Sequence, residues 1–413
     1  MKPSILHVSY ADRWGGSAAS ARRLHESLRA AGHPSRMLVH RRDGDDPDIE
    51  ALVPPGGWRA KAEAAGRALG ARTGWPEAFL PSRLLLANDA RVAACDVVQL
   101  YNVHGAWFDL AVLPAWSARK PVVWRLSDMW AATGHCAYAG GCRRWRLGCG
   151  ACPDLGTYPP LSRDTTAAHW ARKRAIYARS ALTIVAPASW TERIARESPI
   201  LSHFDIRRIP NGVDTARFSP AKRTVGRARW GFSDGDIVVL FGAHIASEAR
   251  KGGATLAAAL GQLGTLPNLR VLALGEGGAG LAAVLPVPVR ATGYLADPEA
   301  VATATAACDI AVVPSAEDNL PNSVLEAMAA GCAIAASDAG GIRDAIRDGE
   351  TGLLAPAGDG EGLARAIGWL SNDISLRMRI SAAARRAAVE EFAMELEAAR
   401  FAALYDELLA ARA

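Results

Sequence analysis

The chain has 413 residues, of which 50% are hydrophobic, and 47 Lys and Arg residues stand against 42 Asp and Glu residues. This composition excludes a disordered or collagen-like chain, and the length predicts two or three domains that each bury a core. No run of about 18 uncharged apolar residues occurs, and the N-terminus lacks the pattern of a signal peptide. We therefore expect a cytoplasmic protein without a transmembrane helix.

Charge and tryptophan are distributed unevenly along the chain. Residues 1–210 contain 29 basic and 18 acidic residues, a balance of +11, which leaves 18 and 24 for residues 211–413, a balance of −6. Ten of the twelve Trp residues also lie in the first part. A basic, Trp-rich domain suits a phosphate-bearing or membrane-bound partner and sugar rings, although a basic surface can also serve solubility alone.

Short apolar runs, most of them followed by a turn and a helical stretch, recur in chain order. A strand at residues 5–9 leads through a Gly-containing turn at 14–17 into a helix at 18–31. The further strands are predicted at residues 97–100, 122–126, 182–186, 237–241, 269–274, 310–313 and 333–336. Buried strands that alternate with helices predict an α/β protein with doubly wound parallel sheets.

The strand–helix pattern breaks near residues 209–212, Ile-Pro-Asn-Gly, and restarts at residue 237. We predict two Rossmann-like domains facing a cleft, because ligands bind at the carboxyl ends of such strands. The predicted ranges are 1–208 and 209–390, with a terminal helix in 391–413 as a candidate to cross back to the first domain.

Residues 58–72 form a helical segment with an apolar face that includes Trp58 and Leu69, beside several basic residues. It is either an ordinary surface helix or an interfacial helix on an anionic membrane. The second interpretation would place the protein peripherally at the inner face of the plasma membrane.

The segment with the most chemical information is residues 314–336, PSAEDNLPNSVLEAMAAGCAIAA. Pro321 and the two polar residues after it favour a helix start, and Gly331 favours its end. The first-turn N–H groups of such a helix suit a diphosphate, while Asp318 and Glu326 could meet the hydroxyls of a sugar and a ribose. The alternative is a capped helix with one solvated Glu.

An acidic residue, seven intervening residues and Glu in a Leu-Glu-Ala-Met-Ala context resemble the retaining glycosyltransferases of family four, which have the GT-B fold. Asp318 stands where that family usually has Glu, and DNLPN is similar to a branch acting in exopolysaccharide and colanic-acid-type assembly. The resemblance implies a UDP- or GDP-linked sugar donor held by these residues: Asp318, Asn319, Leu320, Pro321, Asn322 and Glu326.

Two further segments are similar to the same family and concern the donor diphosphate. Gly16 and Ser17 belong to a Gly-rich loop that the family places beside the diphosphate. Arg250 and Lys251 resemble its basic pair, which stabilises the departing diphosphate, although the usual upstream Arg is Ala246 here. The resemblance implies catalytic roles for Lys251 and for Asp318.

The first half carries a candidate acceptor site. His104 resembles the strand-end His that the family places near the reacting sugar, which implies a catalytic role for it as well. Relatives commonly have His where this chain has Ser127, so Asp128 is expected to bind the acceptor rather than act as an acid or base. Trp130 and His135 complete the predicted acceptor-binding residues.

Four cysteines follow within residues 134–155, with the spacing C-x5-C-x6-C-x2-C. The predicted ligands of a closed, structural zinc site are Cys136, Cys142, Cys149 and Cys152. Free thiols are the alternative, and His135 is a substitute ligand. The resembled branch often carries this cluster.

Several other patterns are set aside. Residues 275–280 fit G-x-G-x-x-G, but Asp297 downstream looks like a helix start, and the resemblance instead places Gly277 near the nucleotide base. Asp-x-Asp pairs at 43–45 and 234–236 fit polar turns, so no catalytic metal is expected. The basic runs lack a nucleic-acid motif, so no nucleic-acid partner is expected.

The resemblance implies transfer of a sugar from a nucleotide donor to a polysaccharide acceptor, expected to be lipid-linked, with retention of configuration. Two other functions stay open. One is a transferase-like scaffold without catalysis, suggested by Ser127 and Ala246. The other is an NAD-dependent enzyme, suggested by the glycine pattern at residues 275–280.

Overall fold

The computed structural model describes residues 2–245, 248–264 and 266–412, so Ala246 lies outside the described residues. The chain divides into two compact units. Unit 1 comprises Met1–Pro210 and Ala398–Ala413, and unit 2 comprises Asn211–Glu397. No helix among the described residues is long and apolar enough to cross a membrane.

Unit 1 is built on a parallel sheet. Its strands are β1 Ile5–Ala11, β2 Ser35–Arg41, β3 Ile49–Ala51, β4 Val97–Leu100, β5 Val122–Arg125, β6 Leu182–Ala186 and β7 Asp205–Arg208. Its helices are α1 Gly16–Ala30, α2 Gly57–Thr73, α3 Ser82–Ala87, α4 Ala90–Ala94, α5 Leu113–Arg119, α6 Thr166–Tyr177 and α7 Ser189–Glu197. The strand order is β3-β2-β1-β4-β5-β6-β7.

Unit 2 repeats the design with six parallel strands. These are β8 Ile237–Ile245, β9 Leu269–Glu276, β10 Val289–Gly293, β11 Ile310–Val313, β12 Ala333–Asp338 and β13 Leu353–Pro356. The helices are α8 Arg223–Trp230, α9 Gly253–Gln262, α10 Gly278–Leu281, α11 Pro298–Ala306, α12 Asn322–Ala330, α13 Gly360–Asn372, α14 Ile374–Glu391 and α15 Met394–Ala410. The order β10-β9-β8-β11-β12-β13 reverses at β8, as in a Rossmann sheet.

Apolar side chains cover both faces of the sheet in unit 1. One cluster contains Trp107, Trp116 and Trp124, and the other contains residues of α1 together with Phe401 and Tyr405 of α15. The helix α15 therefore begins in unit 2, and its later turns complete the core of unit 1. The prediction of two doubly wound parallel sheets is confirmed.

Candidate functional site

The carboxyl ends of β8 and β11 bring two loops of unit 2 together. Arg250 follows β8, and its carbonyl oxygen accepts a hydrogen bond from the N–H of Ala316 at 2.8 Å. Its guanidinium Nη1 donates to the carbonyl oxygen of Glu317 at 2.7 Å. Gly252 has φ +76°, and a Cβ there would overlap the carbonyl of Pro314. Glycine is therefore required where the first loop passes the second.

Lys251 and Asp318, which are 67 positions apart, form an ion pair with 2.7 Å between Nζ and Oδ2. Arg250 Nη1 lies 3.4 Å from the same oxygen, and its Nε donates to Glu248 at 2.9 Å. Burial would raise the pKa of Asp318, but the charges of Lys251 and Arg250 outweigh it and lower the pKa below its usual value. The buried carboxylate is thus kept ionised, and it forms ion pairs with both members of the predicted basic pair.

Two glycines that the sequence did not single out lie against the backbone of Asp318. The N–H of Gly341 donates to the carbonyl oxygens of Asp318 and Asn319 at 3.0 and 2.9 Å. Gly340 has φ +59°, and a Cβ there would overlap the carbonyl of Asp318. The position of the carboxylate therefore depends on a close backbone approach.

The helix α12 begins after Pro321, which has no side-chain cap, and the predicted start of this helix is confirmed. Asn211 Nδ2 donates to the carbonyl oxygen of Leu320 at 2.9 Å and lies 3.4 Å from Asn322 Oδ1. Glu326 lies in the second turn and is partly buried. The predicted anion site at this helix start thus lies directly after Asp318, and Asn211 was missed by the sequence interpretation.

Gly277 lies at the same edge of the sheet, because it follows β9, the parallel neighbour of β8. It is exposed, has φ +79° and begins α10. Its predicted contact with a nucleotide base stays a prediction.

His104 and Asp128 follow β4 and β5, which are neighbours in the sheet of unit 1. Both are buried, and His104 Nε2 lies 2.9 Å from Asp128 Oδ2. The other carboxylate oxygen accepts the N–H of Trp130 at 2.8 Å. A carboxylate only accepts hydrogen bonds, so Nε2 donates to Asp128. The other ring nitrogen, Nδ1, is buried and has no hydrogen-bond partner among the described residues.

Gly16 begins α1, after Gly15 with φ +86°, and this helix has no side-chain N-cap. Ser17 Oγ lies 2.8 Å from the Oγ of Ser127, the residue that replaces the expected histidine. The structure therefore ties the first Gly-rich loop to the loop that carries Asp128.

The cysteine segment folds around a left-handed turn in which Gly148, Cys149, Gly150 and Ala151 all have positive φ. Cys149 Sγ accepts the N–H of Gly134 at 3.2 Å, and His135 Nε2 lies 3.3 Å from Cys152 Sγ. Burial raises the pKa of the Cys149 thiol, and nearby thiols add to the effect. The four sulfurs thus influence each other, and their chemistry fits zinc. Among the described residues, however, no three His, Cys, Asp or Glu side chains are grouped to hold a metal ion.

Lys173 on α6 holds the loop after Asp128 and was missed by the sequence interpretation. Its Nζ donates to the carbonyl oxygens of Trp130 and Thr133 at 2.5 and 2.9 Å and lies 3.4 Å from the centre of the Trp130 ring. Burial lowers the pKa of Lys173 to about 7, against the opposing charge of Glu77. This buried lysine fixes the backbone between Asp128 and the cysteine segment.

Comparison with protein families finds one matching segment in each unit. Residues 14–217 match the family described as Glycosyltransferase Family 4. Residues 236–373 match the family described as Glycosyl transferases group 1. The two segments lie almost entirely within unit 1 and unit 2, respectively.

Curated relatives are similar over part of their length. A protein of Escherichia coli K12 named as a colanic acid biosynthesis glycosyl transferase, WcaC, is 34% identical over 94 residues, which are 21% of this chain and 23% of the relative. A phosphatidyl-myo-inositol mannosyltransferase of Mycobacterium tuberculosis H37Rv is 35% identical over 49% of this chain and 54% of its own. The chain thus spans between a quarter and about half of these relatives.

Solved structures are similar over almost the whole chain. Sucrose-phosphate synthase from Thermosynechococcus elongatus has a TM-score of 0.71 at 21% identity and covers 99% of this chain and 100% of its own. Anabaena Alr3699/HepE in complex with UDP-glucose has a TM-score of 0.69 at 17% identity, covering 98% and 100%. At such identities the likeness shows the fold, and it confirms the predicted GT-B architecture.

Proposed function

We propose that this chain, which is of the group 1 and family 4 glycosyltransferase type by its two matched segments, transfers a hexose from a nucleoside diphosphate donor to a saccharide hydroxyl. The observation that carries the proposal is the grouping of Arg250, Lys251 and Asp318 at the carboxyl ends of β8 and β11, directly before α12. Ligands bind at such strand ends in Rossmann sheets, and a helix start with two cations suits a diphosphate.

The donor is proposed to be a UDP-linked hexose, with a GDP-linked sugar as the alternative. HepE, which shares the fold, binds UDP-glucose. In the proposal, Lys251 and Arg250 contact the diphosphate, Asp318 contacts sugar hydroxyls, and Glu326 contacts the ribose. Thermal unfolding with UDP, GDP, ADP and NAD tests this, since a ligand at about 100 times its Kd adds about 2.7 kcal/mol. A shift with NAD alone would indicate a nicotinamide enzyme, and no shift would favour a scaffold.

The reaction is proposed to proceed with retention by front-face displacement. The bond between the anomeric carbon and the diphosphate oxygen breaks, the acceptor oxygen bonds to that carbon, and the acceptor proton passes to the departing phosphate oxygen. Lys251 and Arg250 stabilise the charge that develops on the diphosphate. NMR of the product anomeric proton tests the stereochemistry.

Replacing Lys251 tests the electrostatic step directly. We expect Lys251→Ala to lower turnover by about 10²-fold, the usual effect of removing such a donor. Lys222→Ala is the matched control, because Lys222 pairs with Glu299 elsewhere in unit 2. Equal turnover in both variants would remove Lys251 from the mechanism.

The acceptor is proposed to be a growing, lipid-linked saccharide bound in unit 1 by Asp128, Trp130 and His135. The resemblance and the name of the WcaC relative support this class. His104 Nδ1, for which the described residues supply no hydrogen-bond partner, is suited to accept a hydrogen bond from a sugar hydroxyl. Transfer of label from UDP-[14C]glucose into the organic phase of bacterial lipid extracts tests the proposal. Label that stays wholly in the water phase would contradict it.

Contact with an anionic membrane is proposed through α2 and α3. Trp58 and Leu84 are each 74% exposed, and the surrounding basic residues are Arg59, Lys61, Arg67, Arg72 and Arg83. Apolar and basic side chains together favour the interface of anionic lipid. Co-sedimentation with phosphatidylglycerol vesicles, but not phosphatidylcholine vesicles, should fall in Trp58→Ser. Trp369→Ser, which changes an exposed Trp of unit 2, should bind the vesicles as the unchanged protein does.

A structural zinc ion is proposed for the cysteine segment, with Cys136, Cys142, Cys149 and Cys152 as ligands. A closed thiolate site would order this long loop, and it supplies no catalytic step. Elemental analysis of the purified chain should give about one zinc per molecule. Cys142→Ser should lose the metal, whereas Cys95→Ser, outside the loop, should keep it. Absence of zinc from the unchanged protein would refute the proposal.

A further inference from the structure

Three partly exposed aromatic residues, Tyr10, Trp14 and Tyr158, lie around the end of β4 in unit 1 and are called the aromatic rim. The rings of Tyr10 and Trp14 are 6.2 Å apart between centroids, and those of Tyr158 and His104 are 5.4 Å apart. A Cβ built on Gly105 would lie 3.1 Å from Tyr10 Cε2 and 3.9 Å from the Tyr158 hydroxyl. Residues distant in sequence thus converge beside His104.

Tyr158 is exposed, and its backbone is firmly placed. The residue is 54% exposed, while burial raises the pKa of its hydroxyl to about 12. Its carbonyl oxygen accepts the N–H of Ala137 at 2.8 Å. The next carbonyl, of Pro159, lies 3.0 Å from His135 Nδ1. A large aromatic ring held in this way pays little entropy on binding a ligand.

Hydrogen-bonding groups stand next to this ring. His104 Nδ1 is buried and has no hydrogen-bond partner in the described part of the chain, and His104 Nε2 is paired with Asp128. A rigid aromatic face beside polar acceptors matches a pyranose, which has an apolar C–H face and a rim of hydroxyl groups. A nucleobase also stacks on aromatic rings. The acceptors of the His104–Asp128 pair favour the many hydroxyl donors of a sugar.

We propose that the aromatic rim is a subsite for one pyranose ring of the acceptor, which stacks on Tyr158 and turns its hydroxyls toward His104. The inference rests on the proposed function and adds the residues that would select a saccharide. Tyr158 would act through its ring rather than its hydroxyl. Tyr158→Phe should therefore preserve binding, and Tyr158→Ala should weaken it.

The experiment is saturation-transfer NMR on the full chain with methyl glycosides of glucose, galactose and mannose, and with uridine. We expect transfer to the ring C–H protons of at least one glycoside, reduced about tenfold in Tyr158→Ala and unchanged in Tyr158→Phe. Tyr138→Ala is the matched control, because Tyr138 lies in the neighbouring cysteine segment and stacks on Trp190. It should bind as the unchanged protein does.

Three outcomes would overturn the inference: no glycoside shows transfer, Tyr158→Ala binds normally, or uridine alone depends on Tyr158. Thermal unfolding with UDP on the same samples separates this result from the proposed function. Binding of glycosides through Tyr158 without binding of any nucleotide would support the subsite and contradict the proposed transferase function. Binding of UDP without binding of any glycoside would support nucleotide binding and contradict the subsite.

Discussion

Lowering the pH from 7 to 5 should destabilise unit 1 more than unit 2, because residues 1–210 contain eight of the nine histidines. Burial lowers the pKa of His25 and His169 to about 4, and lowers that of His7 well below its usual value. His25 Nδ1 is 2.8 Å from Ser35 Oγ, and His169 Nε2 is 2.7 Å from the carbonyl oxygen of Gly74. These rings fold in their neutral form.

The direction of the change in stability follows from proton uptake by the histidines. Below pH 6.5 the unfolded chain protonates these histidines, while the folded chain does not until about pH 4, so stability is lost across that window. At pH 5 the loss is about 2 kcal/mol each for His25 and His169, or about 4 kcal/mol together. His7 adds to it, and Glu77 partly offsets it, because burial raises the pKa of that carboxyl. For a unit of this size the melting midpoint should fall by roughly 10 °C.

Tryptophan fluorescence reports the prediction selectively, since ten of the twelve Trp residues lie in residues 1–210. The fluorescence midpoint should fall between pH 7 and pH 5, and His25→Gln should reduce that difference. His203→Gln, which changes an exposed histidine, should leave it intact. A midpoint that stays constant over this range would refute the assignment of neutral, buried histidines.

Two further predictions concern single contacts. Gly340→Ala should destabilise unit 2 by about 2 kcal/mol or more and abolish UDP binding, because its Cβ would overlap the carbonyl of Asp318. Gly358→Ala, where φ is +81° and no described residue other than the chain neighbours lies within 4 Å of the added Cβ, should cost about 1 kcal/mol and keep UDP binding, as measured by urea unfolding and calorimetry. Tyr405→Phe should lower the free energy of unfolding of unit 1 by about 1–3 kcal/mol and so lower its urea midpoint, because Gln99 Oε1 loses its 2.9 Å donor. An unchanged midpoint would show that this oxygen is satisfied otherwise.

Most central strands were predictable, except β2, and the edge strands were not. β4 and β11 are four-residue segments in which every residue is buried and all but Gln99 are apolar, and their predicted bounds match the structure. The strands that the sequence interpretation missed include all four sheet edges, β3, β7, β10 and β13. An edge strand such as β7, Asp-Ile-Arg-Arg, is covered on fewer sides and carries charged side chains, so it leaves no apolar run.

The site was predictable in its residue types but not in its pairings. The sequence singled out Lys251 and Asp318 separately, and only the fold brings them to 2.7 Å. Lys173 stands within a basic run, where charge alone indicates a solvated surface. Its burial comes from sharing one face of α6 with Trp170 and Tyr177, which also donate to backbone carbonyls of the same region. Contacts of this kind depend on tertiary packing, which local periodicity does not encode.

The return of α15 to unit 1 makes the two units unequal as pieces of chain. Unit 2 is one continuous segment, Asn211–Glu397, whereas unit 1 is interrupted and requires Phe401 and Tyr405 for its core. The corresponding unit of a relative could therefore be exchanged as an insertion with two junctions. Cutting the chain once, after Pro210, would leave the first unit with an open apolar face. Recombination between such enzymes should favour exchanges that keep both ends of the chain from one parent.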